Sequence, residues 1–255
     1  MRPRTRPVRS AVWSPPRFLG YGVGNPTGGF PQDIPGDVVA RYESGAGIVG
    51  DGSTISEWQD QGLTGQRRFT TVWEVETKTG WRQANDLQFT AEPAYGTDEK
   101  GRNTPNTEGT GWGKRAFGAS YSGNWLFAFR AKLNATGGTG FLSDQNDTVP
   151  AVIYHTADTW RASIGTLVDS GVSTDTDWHT FILVHNSGGN DALWLDGSKI
   201  IDAELGTAAL TGITLFANDL GGSVANATCS AHVTAVNVTD IPTAVAKLNT
   251  YLLNR

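Results

Sequence analysis

The stretch Trp178–Asp202, WHTFILVHNSGGNDALWLDGSKIID, indicates an all-β fold. Its first part, Trp178–His185, is apolar on both faces of an extended chain, as is typical of a central strand covered on both sides. Its second part, Asn190–Asp202, places two apolar runs on either side of Asp196-Gly197, a dipeptide that favours the type I′ turn of a β-hairpin. The stretch therefore predicts a central strand followed by a hairpin.

Further short apolar runs, bounded by turn residues, lie on both sides of this stretch. In Asn124–Lys132 the aromatic residues alternate, which predicts a strand with one face in the core. Four more strands are predicted at Ala151–His155, Trp160–Ile164, Ile213–Ala217 and Ser230–Val238. The leucine and valine spacing after Pro242 predicts one short closing helix. Thr90–Ala119 shows little periodicity and is predicted to be a long surface loop or an irregular edge.

Composition agrees with one large all-β domain. The chain has 255 residues, 32 of them Gly, and its 38% hydrophobic residues suffice for a sizeable core. A single cysteine, Cys229, excludes an internal disulfide, and we interpret it as a buried apolar thiol. No apolar run approaches the roughly 20 residues that span a bilayer, and no signal-peptide core follows the N-terminus. We expect a soluble protein made in a cytosol.

Charge is divided unevenly along the chain. Residues 1–32 carry +5 and the remainder carries −10, since the whole chain is −5. Seven of the eleven prolines fall in residues 1–36, so this segment is predicted to be an extended arm. Its guanidinium groups suit carboxylates or phosphates, and its aromatic rings suit pockets on a partner. The predicted partner-binding residues of the arm are Arg2, Arg4, Arg6, Arg9, Trp13, Arg17, Phe18 and Tyr21.

Three segments carry a family resemblance: Asp51–Gln61 (DGSTISEWQDQ), Asp177–Asp196 with Gly197 after it, and the ending Thr239–Arg255. Together they resemble the concanavalin A-like lectin/glucanase superfamily, most closely the laminin-G-like jelly-roll modules in virion proteins of tailed bacteriophages. The resemblance covers residues 37–255. It implies a two-sheet antiparallel jelly-roll sandwich with a short C-terminal helix, and it implies fold more firmly than function.

Carboxylates do not match the pattern that the resemblance implies for a glycosidase, which is two glutamates and an aspartate alternating on one strand. Glu74 and Glu76 alternate but lack the third carboxylate, and Glu57 and Asp60 are out of phase. We therefore predict no enzyme activity and no cofactor. A loop with Asp144, Asn146 and Asp147 could ligate calcium, but such residues are also ordinary in turns, so no metal is predicted.

Other residues offer weaker indications. The four histidines His155, His179, His185 and His232 fall in predicted strands and are interpreted as packed or hydrogen-bonded. Asn-x-Thr triplets begin at Asn134, Asn146, Asn226 and Asn237, and without an export signal they carry no weight as glycosylation sites. Aromatic residues outside the predicted strands are candidates for contact with a glycan or a neighbouring subunit, namely Trp81, Tyr95, Trp112 and Tyr121.

Two functions from different classes follow. The first is a non-enzymatic phage virion structural protein, such as a capsid decoration, fibre-like or tail component, made in the host cytoplasm and held on the virion surface by its arm. Its partners would be other virion proteins, with nucleic acid ranked below protein and no membrane. The alternative is a carbohydrate-binding adsorption module for host surface polysaccharide. Self-association is compatible with both, and a polysaccharide hydrolase ranks third.

Overall fold

The computed structural model describes residues 30–31, 33–51, 53–61, 87–90, 94–108, 111–136, 139–144, 151–156, 158–217 and 224–255. Seventeen strands and one helix occur in this part of the chain. The first eight strands are β1 Asp37–Glu43, β2 Ile48–Gly50, β3 Ile55–Trp58, β4 Leu87–Thr90, β5 Ala94–Thr97, β6 Asn103–Glu108, β7 Trp112–Tyr121 and β8 Trp125–Leu133. The others are β9 Thr139–Asp144, β10 Ala151–Thr156, β11 Thr159–Ile164, β12 Leu167–Ser173, β13 His179–His185, β14 Asp191–Leu195, β15 Ser198–Ala203, β16 Leu210–Leu215 and β17 Asn226–Val236. The helix α1 spans Ile241–Leu253.

The strands form two sheets, and the all-β sandwich is confirmed. Sheet A has the order β15-β14-β13-β8-β17-β6-β5, and β1 pairs with the same edge of β17 as β6 does. Sheet B has the order β12-β11-β10-β9-β16-β7-β4-β3-β2. Strand pairs in both sheets are antiparallel, as in β8 with β17 and β7 with β16. Many pairs join strands far apart in sequence, which is the expected topology of a sandwich.

The predicted hairpin is β14 and β15. Leu195 pairs with Ser198, so Asp196 and Gly197 are the two turn residues. Their φ angles are 49° and 81°, as a type I′ turn requires. The predicted central strand is β13, which lies between β8 and β14 and is buried from Thr180 to His185.

Strand β8 differs from the prediction on one point. Its aromatic face packs into the core between the sheets, as expected, but Leu126 and Ala128 on the opposite face are also completely buried. The predicted core face is therefore confirmed, and the burial of the second face is a feature that the sequence pattern did not indicate. Helix α1 is the reason, because it packs on the outer face of β8 and β13.

Helix α1 begins where the sequence predicts. Asp240 is its N-cap and accepts a hydrogen bond from the backbone amide of Thr243, while Pro242 occupies the first turn, where no amide is needed. The buried helix residues pack with outer-face residues of β8, β13 and β17 in a second hydrophobic cluster. The helix thereby closes one half of the outer face of sheet A.

The segment Thr90–Ala119 was wrongly predicted to be a loop or an irregular edge. It contains β5, β6 and most of the ten-residue strand β7. Thr104 is fully buried and donates a hydrogen bond to the backbone carbonyl of Cys229 on β17. Polar residues inside a sheet obscure the period-2 pattern on which the prediction depended.

Most of the predicted arm, residues 1–29 and 32, lies outside the described residues. Its last part contacts the sandwich: the ring of Phe30 lies edge-on to Tyr251 of α1 at 5.0 Å, and Ile34 is 8% exposed. The backbone carbonyl of Pro35 accepts a hydrogen bond from Thr239. Phe30, Ile34 and Pro35 therefore contact the folded body.

Cys229 is buried, as expected, and burial raises the pKa of its thiol. In the part of the chain that the structure describes, no helix combines the length and apolar character needed to cross a bilayer. His185 and His179 are hydrogen-bonded to aspartates, and His232 is buried with its ring stacked on Phe129 at 5.8 Å. The prediction for these three histidines is confirmed, whereas the side chain of His155 lies outside the described part.

Candidate functional site

The outer face of sheet A changes character along its length. On β8 the outward positions run from Leu126 and Ala128, under helix α1, to Arg130 and Lys132 beyond it. On β17 they run from the apolar residues Ala235, Val233 and Ala231 to the polar residues Thr228 and Asn226. Alternation along β8 keeps its residues on one face, and on β17 a register shift between Cys229 and Ala231 brings Thr228 and Asn226 to the same face as Ala231. We call the two regions the helix-covered half and the open half.

The open half contains a shallow depression of about 570 Å³. Its lining comes from four strands and the chain next to them, and it is polar. The lining residues are Gly96, Thr97, Asn106, Lys132, Asn134, Asn226 and Thr228. We call this the amide depression.

Three asparagine side chains and one hydroxyl are joined in the amide depression. Nδ2 of Asn134 donates to Oδ1 of Asn106 at 2.9 Å and to Oδ1 of Asn226 at 2.8 Å. The hydroxyl of Thr228 lies 2.7 Å from Oδ1 of Asn106 and 2.8 Å from Oδ1 of Asn134. Such a network fixes the orientation of each amide, since every side chain in it holds another.

The network leaves donors for a ligand. Within the described part of the chain, Nδ2 of Asn106 and Nδ2 of Asn226 donate no hydrogen bond, and both residues are only partly buried. Gly96 keeps the surface beside Asn106 open, because a Cβ atom at position 96 would lie 2.6 Å from Cβ of Asn106. The depression therefore presents oriented amides to solvent.

A cation and an aromatic ring border the amides. Nζ of Lys132 lies 5.5 Å from the centre of the Trp178 ring, and Cζ of Arg130 lies 5.9 Å from the same ring. Trp178 precedes β13 and is half-buried. Arg130 forms an ion pair with Glu99, whereas Lys132 has no carboxylate within ion-pair distance in the described residues. The open half thus combines amides, a hydroxyl, an ammonium and an indole.

The loop that carries Trp178 is held by a charged cluster. Nδ1 of His179 lies 2.5 Å from Asp196 of the hairpin, and its Nε2 lies 2.8 Å from Asp175. The hydrogen bond with Asp196 and the other contacts to the two carboxylates raise the pKa of His179 to about 9, against the opposing effect of burial. At neutral pH a protonated His179 therefore links β13, the hairpin and the loop.

A second hollow lies at the end of β13 and has a volume of about 590 Å³. At its base Asp191 accepts hydrogen bonds from Nδ1 of His185 at 2.8 Å and from the backbone amides of Asn186 and Leu205. Each oxygen of Asp191 thus holds a neighbouring segment in place. The hydrogen bonds give the buried Asp191 carboxylate a structural role. The amide depression is therefore the better candidate for a binding site.

The predicted contact residues are dispersed. All eight arm residues and Trp81 lie outside the described part of the chain. Tyr95 lies on sheet A, whereas Trp112 and Tyr121 lie at opposite ends of β7 on sheet B, and all three are partly buried against the core between the sheets. The amide depression includes none of these three.

The carboxylates considered for catalysis or metal binding either have protein partners of their own or lie outside the described residues. Asp60 is completely buried, forms an ion pair with Arg115 at 2.9 Å, and accepts a hydrogen bond from the backbone of Arg41. Glu57 lies on β3 and its carboxylate accepts a hydrogen bond from Gln59. Glu74, Glu76, Asn146 and Asp147 lie outside the described residues, and Asp144 ends β9. Among the described residues, no group of three or more His, Cys, Asp or Glu side chains is placed to hold a metal ion.

Sequence reasoning missed the residues of the amide depression, although two of them carried a signal. Asn134 and Asn226 each begin an Asn-x-Thr triplet, and Thr228 ends the second of these. The triplets were given no weight, but the residues meet on one face because β8 and β17 pair there. Asn106 reaches the same face through the pairing of β6 with Thr228.

Comparisons with known proteins agree on the fold. No protein-family model matches the chain, and no curated protein matches it. Domain 4 of an extracellular arabinanase from Geobacillus stearothermophilus, solved in complex with arabinotriose, is 13% identical over 84% of this chain and 98% of that one, with a TM-score of 0.55. The sialidase of Trypanosoma rangeli is 10% identical over 88% of this chain, with a TM-score of 0.54. The binding domain of Paraclostridial Mosquitocidal Protein 1 is 11% identical over 84% of this chain, with a TM-score of 0.53.

At these identities the likeness shows the fold alone, a β-sandwich. The chain covers 33% of the sialidase and 52% of the mosquitocidal binding domain, so it corresponds to one part of each. The arabinanase domain is matched over nearly its whole length. The phage affiliation of the resemblance stays a prediction.

Proposed function

We propose that this domain is a non-enzymatic carbohydrate-binding module whose sugar site is the amide depression. The observation that carries the proposal is the hydrogen-bonded cluster of Asn106, Asn134, Asn226 and Thr228 on the open half of sheet A. A sugar presents several hydroxyl groups at fixed angles, each able to donate and to accept. Oriented amides match this pattern, since an amide side chain also does both.

Trp178 supports the same interpretation. It borders the depression beside Lys132 and gives the site an apolar surface next to its polar groups. An indole ring provides a large contact area at a small cost in conformational entropy. Sites for small ligands generally combine such a surface with a few placed polar groups. The fold similarity to an arabinanase domain solved with arabinotriose is compatible with this role.

The proposal is tested with a glycan array, followed by titration calorimetry on the best-bound oligosaccharide. The Asn134→Ala variant loses the residue that joins Asn106 to Asn226, so its affinity should fall about tenfold or more. Asn190→Ala is the matched control, because Asn190 is an exposed asparagine that lines the second hollow. The control should bind as the unaltered protein does. Equal binding by Asn134→Ala and the unaltered protein, with both folded, would refute the assignment of the site.

A second role, attachment to a larger assembly such as a phage virion, rests on the sequence. Residues 1–32 carry +5 beside a body that carries −10, and the arm is rich in proline and aromatic residues. An extended, basic arm binds through many small contacts and its binding weakens with salt. Such a protein would be a non-enzymatic component of a virion surface, and its sandwich could still bind glycans.

The test of attachment compares the full chain with a version that begins at Phe30. This boundary keeps Phe30 and Ile34, which pack on the body. If the arm is the anchor, co-sedimentation of the protein with particles from its source should disappear in the shortened version and weaken with salt in the full chain. Equal co-sedimentation of both forms would count against an anchoring arm and in favour of the sandwich as the binding surface.

A further inference from the structure

The amide depression lies in a positively charged part of an acidic domain. Five cationic side chains lie on β8, in the turn between β5 and β6, and after α1, namely Lys100, Arg102, Arg130, Lys132 and Arg255. Three have carboxylate partners: Arg102 pairs with Asp98, Arg130 with Glu99, and Arg255 with Glu43. Lys100 and Lys132 have none within ion-pair distance in the described residues. Over these side chains, five positive charges face three negative ones, although residues 33–255 together carry −10.

The pKa of Lys100, which lies outside the depression, is lowered by burial and by the positive charges near it. Nζ of Lys100 donates to the backbone carbonyl of Asn254. Burial lowers the pKa of Lys100, and the positive charges of Arg102, Arg255 and Arg130 lower it further, against the opposing effect of the Asp98 carboxylate. Arg130 is close both to Lys100 and to the depression. Its guanidinium and the ammonium of Lys132, which lines the depression, lie over the same Trp178 ring.

Lys132 is the charge that a ligand would meet. It lines the depression, is partly buried, and is placed between the amides and Trp178. An ammonium in such a position interacts more strongly with an anion than a fully solvated one does, because neighbouring protein replaces part of the water. A neutral sugar would offer this ammonium a hydroxyl oxygen but no negative charge.

We infer that the amide depression selects anionic saccharides, with Lys132 contacting a carboxylate or sulfate group while the asparagines bind the hydroxyls. This inference rests on the proposed function, since it names the class of sugar taken by the same site. A lysine is a point charge that accommodates either anion. The chemistry shared by uronates, sialates and sulfated sugars is thus one negative group beside several hydroxyls.

The test uses pairs of oligosaccharides that differ only in charge. Oligogalacturonate and its methyl ester form one pair, and a sulfated oligosaccharide and its desulfated form make another. Calorimetry on the full-length protein should show that at least one acidic member binds roughly five times more tightly than its neutral partner in 0.05 M salt, and that the difference shrinks in 0.5 M salt. Whether the first or the second pair shows the preference distinguishes carboxylate from sulfate.

Lys132→Gln should abolish the difference in affinity within each pair, because the neutral glutamine amide cannot attract the anionic group. Lys199→Gln is a close control. Nζ of Lys199 lies 5.4 Å from the Trp194 ring on the same sheet, but it also pairs with Asp202 at 2.9 Å. The control loses the same charge away from the depression and should keep the preference.

The outcomes separate the two proposals. If neutral members bind as tightly as acidic ones, or if Lys132→Gln keeps the preference, the inference of anionic selectivity is overturned while carbohydrate binding stands. If no saccharide of either charge binds, both proposals fall together.

Discussion

The two halves of the outer face of sheet A share their strands but not their chemistry. On β13, Val184 and Ile182 lie under helix α1, Thr180 follows, and Trp178 lies just before the strand in the open half. The same change occurs along β8 and β17. In one half, the side chains pack against a helix of this chain, and in the other they are polar, lie beside Lys132 and Arg130, and are open to solvent.

The difference shows which half serves folding and which is available for binding. Apolar residues that pack against α1 contribute stability in proportion to the area removed from water. Amides in an open depression contribute little, because water would satisfy them equally well in the unfolded chain. Substitutions in the helix-covered half should therefore change stability, and substitutions in the open half should change binding. The predictions below address this separation in order of expected effect.

The largest effect is expected from Leu248→Ala in helix α1. Leu248 is completely buried between the helix and the outer face of sheet A. Removing its side chain leaves a cavity, so the free energy of unfolding should fall by about 2–5 kcal/mol. Urea denaturation monitored by tryptophan fluorescence measures it. Affinity for a bound saccharide should stay unchanged in the folded variant.

Leu253→Ala is the control for this change. Leu253 is in the same helix but 51% of its surface is exposed, so its removal should cost less than about 1 kcal/mol. A similar loss of stability in both variants would mean that α1 does not depend on its buried face. The contrast between the two halves would then lose its physical basis.

The helix-covered half was the more predictable one. Asp240, Pro242 and the spacing of Val245 and Leu248 mark the helix in one continuous segment, and Asp196-Gly197 marks the hairpin in another. Such signals are local, because a capping residue or a turn acts on its own neighbours. The surface that the helix covers is not set by local sequence, and the burial of the second face of β8 was missed for that reason.

The open half could not be predicted from local patterns. Asn106, Asn134 and Asn226 are separated by tens of residues and meet only because β6, β17 and β8 are adjacent in sheet A. Their strands also include polar residues such as Thr104 and Thr228, which obscure the alternation that indicates a strand. Aromatic candidates were sought outside the predicted strands, whereas Trp178 was assigned to the predicted strand Trp178–His185 and in the structure directly precedes β13.

The second prediction concerns pH and the loop that carries Trp178. The folded-state pKa of His179 is raised to about 9, above the ordinary value of 6.5 in an unfolded chain. A raised pKa stabilises the fold fully below pH 6.5, and this contribution declines as pH rises and is lost above about pH 9. The free energy of unfolding should therefore fall by about 1–3 kcal/mol between pH 6.5 and 9.5, measured by urea denaturation.

His179→Gln should remove most of this decline, because glutamine does not titrate. Burial lowers the pKa of His232 to about 3, so this histidine stays neutral over the same range and does not contribute. Saccharide affinity should also weaken above pH 9. His179 then loses its positive charge, and its contacts with Asp175 and Asp196, which hold the loop before Trp178, become weaker. An equal decline in His179→Gln would show that other groups cause it.

The smallest effect is expected at the boundary between the two halves. Asn249 of α1 accepts a hydrogen bond from the hydroxyl of Thr180 at 2.5 Å, and a Cβ atom at Gly197 would lie 2.8 Å from Nδ2 of Asn249. Gly197→Ala also places a side chain on a residue whose φ is 81°. Because the Asn249 amide can shift, the backbone strain dominates, and the free energy of unfolding should fall by about 1–2 kcal/mol. Gly123→Ala is the control and should have a smaller effect, because its Cβ atom would have no other atom within 4 Å.

If Gly197→Ala weakens saccharide binding as much as Asn134→Ala does, the hairpin and the amide depression act as one unit. Stability and binding would then not be separable at this boundary.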